Sequence, residues 1–158
     1  MPGNGATFTL WLPLDQPVLS AREKPVPEGD QRRRLLIVDD EPEVLKGLSR
    51  VLSKDYRLEL VESAAAAIVL LEADPAFDLI LSDLVMPGRN GKELYLEVCR
   101  RWPELQPRFI FFTGGAFDLV LREFQSLMAD RIIHKPLQSQ EIKAVVSKHL
   151  RRVTREGK

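Results

Sequence analysis

From Arg32 onward, five short apolar runs alternate with five amphipathic stretches, and that alternation leaves few folds open. The runs are "RLLIVDD", "YRLELVE", "FDLILSD", "RFIFFTG" and "RIIHKP". "RLLIVDD" and "FDLILSD" carry apolar residues at consecutive positions, the pattern of a strand buried on both faces. In the first intervening stretch, "EPEVLKGLSRVLSK", Val44, Leu45, Leu48, Val51 and Leu52 share one helical stripe. Pro42 falls in the first turn of that helix, where its missing N–H costs nothing. "SAAAAIVLLEAD" predicts a second helix with Ser63 as its N-cap, and a third runs from about Lys92 to Trp102 after the turn "MPGRNG". The fourth places Phe117, Val120, Leu121, Phe124, Leu127 and Met128 on one face, and the fifth does so with Ile142, Val145, Val146 and Leu150. Strict strand–helix alternation predicts an α/β domain with a parallel sheet sandwiched by helices.

The remaining bulk properties narrow the class. The 158 residues are 44% hydrophobic and 29% charged, a globular profile. Lysine and arginine number 23 and so do aspartate and glutamate, so the chain has no electrostatic footprint for nucleic acid or an anionic membrane. No apolar run approaches the roughly 20 residues of a spanning helix, and no basic segment followed by an apolar core opens the chain. The single cysteine, Cys99, has no internal partner and suits a reducing compartment. A cytoplasmic protein without direct membrane contact is the expectation.

In an open parallel sheet, ligands bind beyond the carboxyl ends of the strands. The first predicted strand ends in Asp39 and Asp40, the third in Asp83, the fourth in Thr113 and the fifth in Lys135. Singly, each has an ordinary reading, as a helix cap, a turn former or a solvated lysine. Together they converge on one rim. Carboxylates crowded there raise one another's pKa unless a positive charge joins them. A divalent cation with oxygen ligands answers this, and Mg2+ takes few carboxylates plus water and phosphate oxygens. Without cysteine or histidine in the set, zinc is not expected. Lys135 adds a point charge and Thr113 a hydroxyl. Such a set fits phosphoryl transfer with an aspartate as nucleophile.

The motifs "IVDDEP", "LSDLVMPGRNG", "FFTGG" and "IIHKPL" resemble the receiver domain of two-component response regulators, across residues 32–150. The resemblance implies a flavodoxin-like doubly wound sheet in the order 2-1-3-4-5 with five helices. It implies that Asp83 is the phosphoacceptor, attacking a phosphohistidine. Asp40, Asp83 and the Val85 backbone carbonyl would ligate Mg2+, with Asp39 acting mainly through bound water. Lys135 would pair with Asp83 and then with the phosphoryl group, toward which Thr113 would move. Pro87, Gly88 and Gly91 would shape the loop after the acceptor, and the Lys135–Pro136 peptide would be cis. Partners would be a histidine kinase catalytic and dimerisation domain or a histidine phosphotransfer protein.

One position departs from the family pattern. Ile132 stands where receivers with an output domain often carry a switch aromatic, which leaves the acceptor chemistry intact but not the aromatic rotation. Val85 and Gly115 flank the path of attacking water and bear on phosphoryl lifetime. Other polar residues receive structural assignments. Glu41 has two readings, a third acidic ligand or, favoured by its place at a helix start, a complement to the helix dipole. His134 packs at a strand end, His149 is exposed or half-buried, and Cys99 is a small buried hydrophobe. Two alternative functions remain. A degenerate receiver acting only as an interaction module would lack part of the acidic set, which is complete here. An aspartate-nucleophile phosphatase needs two aspartates separated by one residue, whereas Asp39 and Asp40 are adjacent. A phosphate-binding "GxxxxGK[ST]" loop is absent.

Ahead of the domain, "GNGATFTLWLP" alternates with period two and resembles the final strand of the ATP-binding domain of sensor histidine kinases. Gly3, Gly5, Thr7, Phe8, Leu10, Leu12 and Pro13 match that pattern and Ala6 departs from it. The organisation expected is a kinase-domain remnant at 1–13, a Pro-rich linker at 14–31, the receiver at 32–152 and a basic tail at 153–158. With few residues after the fifth helix and no output domain, this is the layout of a hybrid kinase's C-terminal receiver.

Overall fold

The structure is a computed structural model that describes residues 31–114, 119–136 and 138–156. The strand and linker expected ahead of residue 31 lie outside the described residues, as do Gly115 and Phe117. β1 (Arg34–Val38) occupies the interior of a five-stranded sheet with β2 (Arg57–Val61), β3 (Leu79–Asp83), β4 (Phe109–Thr113) and β5 (Ile132–His134). All pairings are parallel and the order is β2-β1-β3-β4-β5. Both predictions, sheet type and order, hold.

The period-two geometry of a strand divides each apolar run between two cores. Leu36, Val38, Ile80, Phe109 and Phe111 face α2 (Ala64–Ala73), α3 (Gly91–Arg101) and α4 (Leu119–Leu127). Leu35, Ile37, Leu79, Leu81, Ile110 and Phe112 face α1 (Pro42–Leu52) and α5 (Ser139–Glu156). Every residue of β3 and β4 is buried, so these strands have no water-facing side. That is why consecutive apolar residues, rather than alternation, mark them in the sequence. On the α3–α4 side Tyr95 packs edge-to-face against Phe109, Phe111 and Phe124, with centroids 5.1, 5.6 and 5.7 Å apart. Ile132 packs half-buried against this cluster.

Local signals set the helix starts. Ser63 Oγ accepts from the Ala66 N–H at 3.2 Å, as expected of an N-cap. Asn90 and Glu93 form a reciprocal capping box at the start of α3, with bonds of 2.9 and 3.0 Å.

Four expectations are corrected. Leu127 is 72% exposed, so the apolar face of α4 is narrower than its sequence pattern, with Leu121 and Phe124 buried and Met128 half-buried beyond the helix end. α5 continues to Glu156, past the boundary expected at residue 152. His134 is exposed rather than packed. His149 is buried, its Nε2 lying 2.8 Å from the Pro107 carbonyl, because α5 packs against the 3-10 turn Pro103–Arg108.

Burial holds the His149 imidazole below its ordinary value of 6.5. As pH falls, the unfolded chain therefore takes up this proton before the folded one. The stability contributed by the neutral ring is present above 6.5 and lost as pH drops through that value toward the folded one. A His149→Gln variant keeps an N–H donor but does not titrate. Thermal denaturation at neutral pH and at about pH 5.5 is expected to show the advantage of wild type over this variant shrinking on acidification.

Candidate functional site

The strand register brings the candidate residues to one edge. Val38 pairs with Ser82, Asp83 with Phe112 and Thr113 with His134. Asp39, Asp83, Thr113 and Lys135 therefore lie at successive carboxyl ends of β1, β3, β4 and β5. Backbone bonds continue the ladder past the strands, from Asp39 N to Val61 O at 3.2 Å and from Lys135 N to Thr113 O at 2.8 Å. Between β1 and β3 the order reverses, and the chain leaves to opposite faces, opening a crevice where ligands bind in such sheets.

Lys135 is the centre of the cluster. Its Nζ donates to Asp39 Oδ2 at 3.0 Å, Asp83 Oδ2 at 3.0 Å and Glu41 Oε1 at 3.2 Å. The second oxygen of each buried carboxylate meets backbone: Asp39 Oδ1 accepts from the Glu41 N–H at 2.9 Å, and Asp83 Oδ1 from the Val85 N–H at 3.2 Å. Asp39 is fully buried and Asp83 4% exposed. Burial pushes the Asp39 carboxyl above its usual range, a tendency opposed by the Glu41 N–H and Lys135 and reinforced by the Asp83 charge. Burial also works against the Lys135 ammonium, but its bonds to Asp39 and Asp83 prevail and hold it well above the ordinary lysine value.

Thr113 is 1% exposed, and its hydroxyl oxygen has no hydrogen-bond partner among the described residues. A buried hydroxyl without a partner is costly, and this one sits on the same edge as the cluster. Beyond Asp83, Gly88 adopts φ +78°, open at little strain to glycine alone. The Gly91 N–H donates to Leu84 O at 3.1 Å. A Cβ at Gly91 would collide with the backbone carbonyl of Asp83. The start of α3 can thus press against the end of β3 only with glycine there. The Lys135–Pro136 peptide is cis, as the resemblance implies.

The structure assembles Asp39, Asp83 and Lys135, and adds Glu41, which the sequence reading gave to the helix dipole. One carboxylate oxygen from each of Asp39, Glu41 and Asp83 lies within 4.8 Å of the other two. Asp40 is half-buried and outside that group. Val85 is 44% exposed and meets the site through its backbone. Cys99 is half-buried on α3, away from the strand ends. Three carboxylates against one ammonium leave the cluster net negative, and all its donors are hard oxygens. That chemistry fits a Mg2+-type divalent cation, with no thiol or imidazole in the group to favour a softer metal.

Residues 35–147 match the family model of the response regulator receiver domain. The chain belongs to that family. This receiver is similar to sensor kinase CckA of Brucella abortus (strain 2308), 28% identical over 160 residues covering 94% of the chain and 17% of CckA. It is also similar to sensor histidine kinase AruS of Pseudomonas aeruginosa, 33% identical over 147 residues, 89% of the chain and 14% of AruS. The chain thus spans less than a fifth of either kinase. A CheY-like receiver domain protein from Methanospirillum hungatei JF-1 superposes with a TM-score of 0.70 at 26% identity, over 79% of this chain and 98% of that one. Among the described residues, no helix is long and apolar enough to cross a membrane.

The two glycines near the site make a paired test of this geometry. Gly91→Ala is expected to destabilise the receiver by roughly 1–3 kcal/mol through overpacking against Asp83. At Gly47, within α1, a Cβ meets nothing within 4 Å. Gly47→Ala is expected to stabilise by about 0.5–1 kcal/mol through helix propensity. Urea denaturation of both variants checks the contrast.

Proposed function

We propose that this receiver takes a phosphoryl group from a phosphohistidine onto Asp83, in a Mg2+-dependent two-component phosphorelay. The observation that carries the reading is the state of the Asp83 carboxylate. One oxygen is fixed by a backbone N–H and the other by Lys135, at the strand-order reversal, within an oxygen cluster of net negative charge. An aspartate so held is oriented and retains its nucleophilic electron pairs.

In the transfer, an Asp83 carboxylate oxygen attacks phosphorus in line with the phosphorus–nitrogen bond of the donor. An oxygen–phosphorus bond forms, and the phosphorus–nitrogen pair leaves with the imidazole, which takes a proton from solvent. The Lys135 ammonium balances charge on the Asp83 side before transfer and on the phosphoryl side after it. The Thr113 hydroxyl, without a partner among the described residues, would bond a phosphoryl oxygen. Asp40, Asp83 and the Val85 carbonyl, with Asp39 acting mainly through bound water, would hold Mg2+, which when bound supplies charge neutralisation for the phosphoryl oxygens.

The donor class is a histidine kinase catalytic and dimerisation domain or a histidine phosphotransfer protein. The similarity to CckA and AruS supports a place within a hybrid kinase. A match over 94% of the chain runs well ahead of residue 35, where the family match begins. It therefore enters the segment read as a kinase-domain strand, residues 1–13, and linker, residues 14–31.

Incubation with acetyl phosphate and Mg2+ is expected to add the mass of one phosphoryl group to the intact chain. Asp83→Asn is expected to abolish the gain, as is chelation of the cation. Equal uptake by Asp83→Asn would move the acceptor elsewhere.

A further inference from the structure

The phosphoryl transfer described above makes no use of Glu41, and its assignment to the helix dipole does not explain where its carboxylate goes. Glu41 occupies the N-cap position of α1 but makes no capping bond with its side chain. Ser63 and Asn90, at the same position of α2 and α3, both do. The Glu41 carboxylate instead turns to Lys135, accepting from Nζ at 3.2 Å.

The backbone prepares that turn. The Glu41 N–H is held by Asp39 Oδ1 at 2.9 Å, and its carbonyl accepts from Val44 N and Leu45 N at 3.0 and 3.2 Å. Pro42 follows with its ring-fixed φ. Both ends of the residue are therefore anchored while the side chain stays uncommitted to the helix.

An ammonium carries three N–H donors. In this site Asp39, Asp83 and Glu41 take one each. A phosphoryl group arriving on Asp83 brings further anionic oxygens, and any bond from Lys135 to them displaces one already made. The three holders are unequal. The Asp39 and Asp83 side chains are 0% and 6% exposed, whereas that of Glu41 is 62% exposed. Leaving a buried carboxylate unpaired is costly, while an exposed one returns to water. Transfer phosphorylates Asp83, whose bond to Lys135 passes to the phosphoryl group. Of the two carboxylates then left on Lys135, the exposed Glu41 rather than the buried Asp39 is the one that yields to a second phosphoryl oxygen.

We propose that Glu41 is a positioning residue for Lys135, holding the third donor of its ammonium in the unphosphorylated site and competing for it with an incoming phosphoryl group. The proposal rests on the phosphoacceptor reading of Asp83. Glu41 also sets a negative charge beside the path of an anionic donor, which acts in the same direction. Neutralising it favours the phosphorylated form.

The test compares wild type with Glu41→Gln, each at Mg2+ concentrations saturating for that protein. Initial uptake from acetyl phosphate is followed by intact mass, and affinity for the phosphoryl mimic beryllofluoride by fluorine NMR. The exposed pair sets the size of the effect, so Glu41→Gln is expected to be faster and to bind the mimic more tightly by roughly twofold to fivefold. The gap is expected to narrow as ionic strength rises, since salt screens an exposed charge. A purely structural role for Glu41 gives no such salt dependence. Equal or slower uptake by Glu41→Gln, with wild type still gaining the group on Asp83, overturns the role of Glu41. Absence of uptake by both proteins overturns the phosphoacceptor reading itself, and this inference with it.

Discussion

Three carboxylates meet a single ammonium at the carboxyl edge of the sheet, and the arrangement of the domain follows from making that meeting possible. Lys135 stands 96 residues from Asp39 and 52 from Asp83 in the chain, yet it binds both at 3.0 Å. Asp39 is fully buried, so its charge has no solvent shell to fall back on and depends on Lys135 and the Glu41 N–H. Removing one member of such a set leaves a buried charge uncompensated, which is far worse than never having built it. The cluster remains net negative even with Lys135 in place. That surplus, carried on hard oxygens, suits a divalent cation.

Rigidity on one side and freedom on the other divide the work. β1, β3 and β4 are buried on both faces, so the residues at their ends inherit fixed positions from two packed cores. The segment after Asp83 differs, with an exposed Val85, a glycine at positive φ and a helix start that admits no Cβ. Asp83 thus joins a strand buried on both faces to a loop whose Val85 side chain faces solvent. Thr113, buried at the same edge, carries a hydroxyl without a hydrogen-bond partner among the described residues.

Much of this was legible in the sequence. Consecutive apolar residues in "LLIV" and "LIL" marked doubly buried strands because parallel strands with helices on both faces have no polar side. Asp39, Asp83, Thr113 and Lys135 could be placed on one rim because parallel strands all end at the same edge. The capping box at Asn90 and Glu93 also has a sequence signature, an asparagine with a glutamate three residues on, overlapping the turn "MPGRNG". His149 and Leu127 were not legible in the same way. Both lie on amphipathic helices, where a shift of one residue in the facing element decides whether a position is buried. The 3-10 turn that covers His149 had no periodic signature of its own.

The sequence by itself determined the alternation of elements, hence the parallel sheet, and the edge on which the polar residues gather. It also determined which residue types were available there. Only the tertiary structure decided which of them meet. Asp39, Asp40 and Glu41 are consecutive, and composition cannot say which carboxylates turn to a lysine some ninety residues away. The end of β1 and the first turn of α1 settle it by fixing successive backbone directions, which brings Asp39 and Glu41 to Lys135. Side-chain direction at a strand-to-helix turn depends on how both elements pack, and that packing is a property of the whole domain.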